Sequence, residues 1–263
     1  MCSVLVQPTF PDHNQYVELA RDYDLGFELI DFALTMNLDD KQELQRRMEF
    51  YKNLDHDIPL ISLHGTYHDM RLSSIDPRIR QVAEERLELN CRIAYELGID
   101  RVIFHTNYMP QNTDERYFDY WVERNEEFCT RMVEEYDLEI LLENVFDFHP
   151  RVLARLMESV KSDQINVCFD IGHFNVHSRV PLSRWFSVLN DNITYLHLND
   201  NCGSQDRHNI AGRGSIDWRE LTELIAEYGL DPEAVLEIDI GTPSSVEKSI
   251  EFFQQHNFYP WSR

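Results

Sequence analysis

Lysine is almost missing from this chain: Lys41, Lys52, Lys161 and Lys248 are the four in 263 residues. None closes an apolar run, so a Schiff-base lysine of the aldolase kind is not expected. Cysteine is scarce as well. Cys2, Cys91, Cys129, Cys168 and Cys202 are odd in number and contain no C-x-x-C pair. Neither a disulfide framework nor a thiolate zinc finger is expected, and a reducing cytoplasm is the expected setting. No apolar run approaches the length of a membrane span. The N-terminal MCSVLVQPTF lacks the basic region and the longer apolar stretch of a signal peptide. Positive charge is also short, with 24 basic against 47 acidic residues and a formal net charge of -23. Such a field repels nucleic acid and anionic membranes unless bound cations or a local basic groove offset it. No glycine-rich phosphate turn follows an early apolar run, neither G-x-G-x-x-G nor a P-loop.

What is present is a folded chain, with 43% hydrophobic and 12% aromatic residues. Short aliphatic or β-branched runs recur at 3–7, 26–31, 59–64, 101–105, 138–143, 165–170, 193–198 and 234–239. Nearly continuous apolar runs of this length suit strands buried on both faces of a parallel sheet. Helical patterns separate them. Val82, Leu89, Ile93 and Leu97 form one apolar stripe that Gly98 ends, and DWRELTELIAEYG opens on Asp217 as an N-cap and stops at Gly229. Eight strands alternating with helices, without a linker or a composition shift, predict an α/β fold: a single (β/α)8 TIM barrel occupying 1–263 as one domain. The aromatic tail FYPWSR is expected to dock on that barrel.

The carboxyl ends of the strands line the active-site mouth of such a barrel. Here the third to sixth runs end in His64, His105, Glu143 and Asp170, the seventh carries His197 near its end, and the eighth carries Glu237. Six consecutive strands thus bring an imidazole or a carboxylate to one rim. Uncompensated carboxylates that close repel one another, and a divalent metal removes the conflict, since oxygen and imidazole ligands suit zinc, manganese or cobalt. His173, three residues beyond Asp170, and the Asp206/His208 pair in the loop after the seventh run are further ligand candidates. Trp185, Tyr67 and Phe146 are candidates for shaping the pocket, and Arg213, between Gly212 and Gly214, for touching substrate.

Taken together, LHGTYHDM, VIFHT, LLENV, VCFDIGHFN, YLHLND, DRHNIAGRG and VLEID resemble the strand-end signatures of the xylose isomerase-like barrel superfamily. That group contains sugar phosphate isomerases and epimerases, and AP endonucleases of the endonuclease IV type (AP endonuclease family 2). The resemblance implies that Glu143, Asp170, His197 and Glu237 hold one metal, as in the isomerases. The endonuclease pattern adds His64 and His105 for a second ion, with Glu143 bridging, and His173, Asp206 and His208 for a third. Tyr67 matches that family's His-x-x-Tyr. The chain departs from endonuclease IV after Glu143, where it reads NVFDFHP, and after His105, where it reads TNYMP. The expectation is therefore a divalent-metal enzyme, with one to three Zn2+ or Mn2+ ions, acting on a small sugar or phosphoester. Isomerisation or epimerisation leads, with Glu143 and Glu237 as acid and base, and phosphoester hydrolysis by a di- or trinuclear cluster is the alternative. Nucleic acid is disfavoured as a partner, no membrane partner is expected, and homo-oligomerisation stays open.

Overall fold

Eight parallel strands close into a barrel in chain order. The computed structural model describes residues 4–9, 12–54, 57–237 and 242–262. The strands are β1 (Val4–Val6), β2 (Gly26–Leu29), β3 (Leu60–His64), β4 (Arg101–His105), β5 (Glu139–Glu143), β6 (Ile165–Asp170), β7 (Ile193–Leu198) and β8 (Glu233–Leu236). The first half of the surrounding layer is α1 (His13–Tyr23), α2 (Thr35–Asp39), α3 (Lys41–Lys52), α4 (Pro77–Leu97) and α5 (Glu115–Tyr136). The second half is α6 (Arg151–Ser159), α7 (Ile171–His177), α8 (Leu182–Leu189), α9 (Trp218–Tyr228) and α10 (Pro243–His256). Each expected strand is found in its expected run. Ser3 of the first run and Ile238 and Asp239 of the eighth lie outside the described residues, as does Cys2. No described helix is long and apolar enough to cross a membrane.

Local chemistry sets the helix ends. Asp217 caps α9 by accepting from the amides of Arg219 and Glu220, and Gly229 ends that helix at φ 65°. Asp76 caps α4 with Pro77 at its first turn. The stripe expected on α4 holds in part: Ile93 is buried and Leu89 and Leu97 pack against the core, but Val82 does not. Val82 is 54% exposed, and the buried face is built from Ala83, Leu87, Asn90, Cys91 and Ala94, with Ile93 beside it. Small residues let the helix lie close against the strands, and a stripe chosen by bulk alone misses them. At the C-terminus, Trp261 stacks on Phe253 of α10 and the Tyr259 amide donates to Thr222 of α9, so the tail packs on its own barrel. Arg263 lies outside the described residues.

The alternation of strand side chains divides the barrel interior into layers. Leu5, Ile103, Leu141, Cys168, Tyr195 and Val235 form an apolar plug, with Ile61 against it. Two residues earlier on β4, β5 and β8 stand Arg101, Glu139 and Glu233, closing the lower end with ion pairs. Two residues later come His105, Glu143 and Glu237, and likewise Asp170 on β6 and His197 on β7. The period of two therefore carries the polar strand-end residues to one layer above a sealed floor.

Candidate metal centre

Glu143, at the end of β5, is the hub of this layer and is almost wholly buried. His64 Nε2 and His105 Nε2 stand 3.2 and 3.3 Å from its Oε2. On the other side His173 Nδ1 and His197 Nδ1 stand 2.9 and 3.5 Å from its Oε1. His197 Nδ1 also lies 3.3 Å from Glu237 Oε2 and 3.9 Å from Asp170 Oδ2. Asp170 caps α7, accepting the His173 amide at 2.5 Å, which ties the position of that imidazole to the end of β6.

The loop after β7 delivers the last two candidates. His173 Nε2 is 3.1 Å from Asp206 Oδ2, and His208 Nε2 is 3.0 Å from the same oxygen. His208 Nδ1 is 3.6 Å from Glu237 Oε2. Asp200, buried at the base of the loop, holds it in shape: its Oδ2 accepts the amides of Gly212 and Gly214 at 2.8 and 3.0 Å. Gly212 sits at φ 79°, a conformation that favours glycine. At Gly214 a Cβ would lie 2.2 Å from the carbonyl oxygen of Asn201 and from Asp200 Oδ1. The second glycine thus serves close approach, and the first backbone freedom.

The electrostatics are those of a crowded, dry site. Burial pushes the Glu143 carboxyl up, but the imidazoles of His105 and His197 outweigh it and hold the group well below its ordinary range. Glu237 behaves alike, held down by His197 and His208 against the cost of burial. Asp170 goes the other way: burial, with Glu237 and Glu143 as like charges nearby, pushes it up to about 7. Burial opposes protonation of His208, yet Glu237 and Asp206 raise it to about 10. Burial likewise opposes protonation of His173, and Asp170, Asp206 and Glu143 overcome it.

The donor set fits a divalent cation. Both Glu143 oxygens, Glu237 Oε2, His173 Nδ1 and His197 Nδ1 are buried and have no partner at hydrogen-bonding geometry among the described residues. Polar atoms left so inside a protein are costly, and these face one another. The potential ligand atoms of Glu143, Asp170, His197 and Glu237 all lie within 4.8 Å of each other, as do those of His64, His105 and Glu143, and of His173, Asp206 and His208. Cys168 also lies close to Glu143 and His197. It belongs to the apolar plug, however, and burial raises its thiol well above the ordinary value, which disfavours a thiolate ligand. Carboxylate and imidazole donors without thiolate suit zinc, manganese or cobalt.

All nine residues expected from the strand ends and loop come together here. Above them opens a cavity of about 260 Å³, walled by His64, Tyr67, His105, His173, Asp206, His208, Glu237, Gln7, Thr9 and Ile30. A second compartment of about 360 Å³ shares Tyr67, His105, His173 and Asp206 with it and adds His68, Arg71, Asn107, Phe146 and His177. Tyr67 stacks over His105 at 5.0 Å, and Phe146 is 49% exposed in the outer compartment. Arg213 is exposed on the loop and is not among the described residues lining either space. Trp185 is wholly buried against Phe169, so it serves packing and does not shape the pocket.

Several residues of the site carry no signature that the strand-end reading recognises. Glu28 is fully buried on β2, with His197 Nε2 3.2 Å from its Oε1. Gln7 Nε2 donates to Glu28 at 2.7 Å and to Glu237 at 3.0 Å. Asn144 pairs with the backbone of Asp170 through both ends of its amide, at 2.9 Å each, and Asn199 donates to Asp170 Oδ2 at 2.9 Å. A residue next to a strand-end ligand was the available signal, and it marks Asn144 but not Glu28.

Known proteins share this architecture. An uncharacterized protein of Methanocaldococcus jannaschii is 26% identical over 206 residues, spanning 74% of this chain and 69% of the relative. The crystal structure of a D-tagatose 3-epimerase-like protein superposes with a TM-score of 0.78 at 21% identity, covering 97% of this chain and 96% of the other. A Thermus thermophilus protein soaked with ZnCl2 superposes with a TM-score of 0.77 at 24% identity, covering 96% and 98%. At such identities these superpositions speak for the fold. The family model described as xylose isomerase-like TIM barrel matches residues 17–256, and the chain belongs to that family.

Proposed function

We propose that this protein is a divalent-metal-dependent isomerase or epimerase of a small sugar or related polyol. The observation that carries the reading is the group Glu143, Asp170, His197 and Glu237 lying beneath a cavity of about 260 Å³. That volume is just below the range of drug-sized pockets, roughly 300–1,000 Å³. It suits a small ligand and not a duplex, as does the formal net charge of -23. The reading takes Zn2+ or Mn2+ as the metal, residues 1–263 as one domain and the cytoplasm as its setting. When bound, the ion supplies Lewis acidity, which polarises a carbonyl and acidifies the adjacent C–H bond.

The chain's own residues supply the proton transfers. Glu237 lines the cavity, and His197 and His208 keep its carboxyl in the base form, so the carboxylate is set to take a proton from the substrate carbon. Glu143, on a strand three places round the barrel, is set to return one on the opposite face. His173 Nδ1, 2.9 Å from Glu143 Oε1 and held protonated by Asp170, Asp206 and Glu143 against the cost of burial, is the proton source for that return. Tyr67 covers the mouth by stacking on His105 and closes one wall. The outer compartment takes the remainder of a longer substrate. Arg71 there has no carboxylate partner among the described residues and suits an anionic end such as a phosphate.

The test is incubation of ketopentoses, ketohexoses and their phosphates with the Mn2+- or Zn2+-loaded protein in D2O, followed by NMR. Deuterium entering at the carbon next to the carbonyl, together with a new epimer or isomer, is the expected result. No exchange with any of these sugars would sink the reading.

A second reading, phosphoester hydrolysis by two or three ions, is favoured by the two further ligand groups, one meeting Glu143 at Oε2 and the other at His173. In that case His173 would hold an ion through Nε2, the nitrogen facing Asp206, and keep a hydrogen only on Nδ1. One tightly held ion per chain supports the isomerase, whereas three ions with cleavage of an aryl phosphodiester or an abasic duplex support hydrolysis.

A further inference from the structure

Six of the eight strands, β3 to β8, bring a candidate ligand to the upper layer, and β1 and β2 bring none. In their place stand Gln7, just beyond β1, and Glu28 on β2. Glu28 is fully buried, yet it belongs to none of the groups whose donor atoms converge. A carboxylate in such a position is costly unless donors surround it.

Donors do surround it. Glu28 Oε1 accepts from Gln7 Nε2 at 2.7 Å, and His197 Nε2 faces both carboxylate oxygens, Oε1 at 3.2 Å and Oε2 at 3.4 Å. Glu28 Oε2 accepts from Ser62 Oγ at 3.1 Å and from Tyr195 Oη at 2.9 Å. A carboxylate in this setting only accepts, so the His197 nitrogen facing it must carry the hydrogen. In a neutral ring that leaves the lone pair on Nδ1. This is the atom that lies among Glu143, Asp170 and Glu237 at 3.5, 3.9 and 3.3 Å without a hydrogen bond of its own. Gln7 extends the arrangement. Its amide joins Glu28 to Glu237 Oε1 at 3.0 Å, leaving Glu237 Oε2 as the oxygen turned toward His197.

We infer that Glu28 is a positioning residue for the metal centre: it fixes the tautomer of His197 directly and the aim of Glu237 through Gln7, without touching the ion. Partners of this kind behind a ligand imidazole orient the ring and strengthen it as a donor. The inference rests on the reading that the four-residue group binds a cation, and the experiment separates the two.

Zn2+ and Mn2+ binding by the full chain is measured by calorimetry for the wild type, Glu28→Leu, Glu28→Gln and Gln7→Met. In parallel, ¹⁵N-histidine NMR of the metal-free proteins, at a pH where the ring is neutral, reports which His197 nitrogen carries hydrogen. Glu28→Leu removes both acceptors and is expected to weaken binding by about 10- to 100-fold, with Nε2–H no longer favoured in His197. Glu28→Gln keeps one carbonyl for His197 while its amide group turns to the two hydroxyls, so it recovers most of the loss. Gln7→Met weakens binding by less than Glu28→Leu and leaves the His197 tautomer as it is. Binding by Glu28→Leu within twofold of the wild type, equal losses in the Leu and Gln variants, or a neutral wild-type His197 ring with its hydrogen on Nδ1 would each overturn the inference. Wild type that binds neither ion refutes the metal reading, and the His197 spectrum then still judges the tautomer. Where Glu28→Leu does not fold, by circular dichroism, Glu28→Gln and Gln7→Met carry the comparison.

Discussion

Strands β4, β5 and β8 carry charge at both ends of the barrel, and the two ends are finished differently. At the lower end Arg101 Nε meets Glu139 at 2.6 Å, and its Nη1 pairs with Glu233. Asn166 adds a donor to Glu139 at 3.0 Å. Four residues further along the same strands stand His105, Glu143 and Glu237. The two carboxylates recur, but an imidazole takes the place of the guanidinium. The lower set is complete, because a permanent cation answers both acids. The upper set has neutralisable rings, a third acid in Asp170, and buried oxygens and nitrogens without partners. The difference teaches where an exchangeable cation would belong: the chain supplies its own cation at one end and leaves at the other a donor set that fits one.

This contrast can be broken at several points. Glu143→Gln removes the hub of the upper set, and turnover in the isomerase assay should fall by about 10²- to 10⁴-fold, with metal content falling alongside. A variant retaining wild-type turnover would remove Glu143 from the chemistry. Stripping the metal with a chelator should lower the thermal midpoint by an amount that grows with the concentration of the ion returned. A site filled at 100 times its Kd contributes about 2.7 kcal/mol, and a midpoint indifferent to chelator would mean the upper set needs no ion. Arg101→Met uncovers Glu139 and Glu233. Breaking a buried pair typically costs 3–5 kcal/mol, and since this arginine is 31% exposed, about 2 kcal/mol is the expected loss. Chemical denaturation would show it, while metal affinity stays unchanged. Arg71→Ala, at the rim, should raise KM a few-fold for a phosphorylated substrate and not for its neutral parent, with kcat preserved. Equal effects on both would remove the anion role.

The barrel was legible because its strands are near-continuous apolar runs, and the strand-end candidates because each closes such a run or stands near its end. His173 followed from its distance to Asp170, and Asp206 and His208 from their spacing in a glycine-bearing loop. Glu28 was hidden by its own strand. In GFELID an acid interrupts a short apolar run, and the register between β2 and β3 shifts between Phe27 and Glu28, so strict alternation does not say which way it points. The α4 face was read only in part because Ala83, Cys91 and Ala94 bury little area each, while Val82 is bulky and faces water. Asp200 carries no signal of its own in the sequence, since its value lies in amides that are far along the chain and near in space.

That last residue has a kinetic consequence. With both amides of the Gly212 and Gly214 turn on one buried carboxylate, and with Asp200 and Asn209 exchanging backbone hydrogen bonds at 3.0 and 2.7 Å, the loop is shaped from its base. The ordering entropy of such a segment, about 1–2 kcal/mol per residue, is then lost during folding rather than on association. Asp206 and His208 are therefore held from the base of the loop, as part of a wall rather than a flap. Exchanging residues 201–208 between relatives that keep the Asp200 anchor should transfer selectivity without rebuilding the barrel.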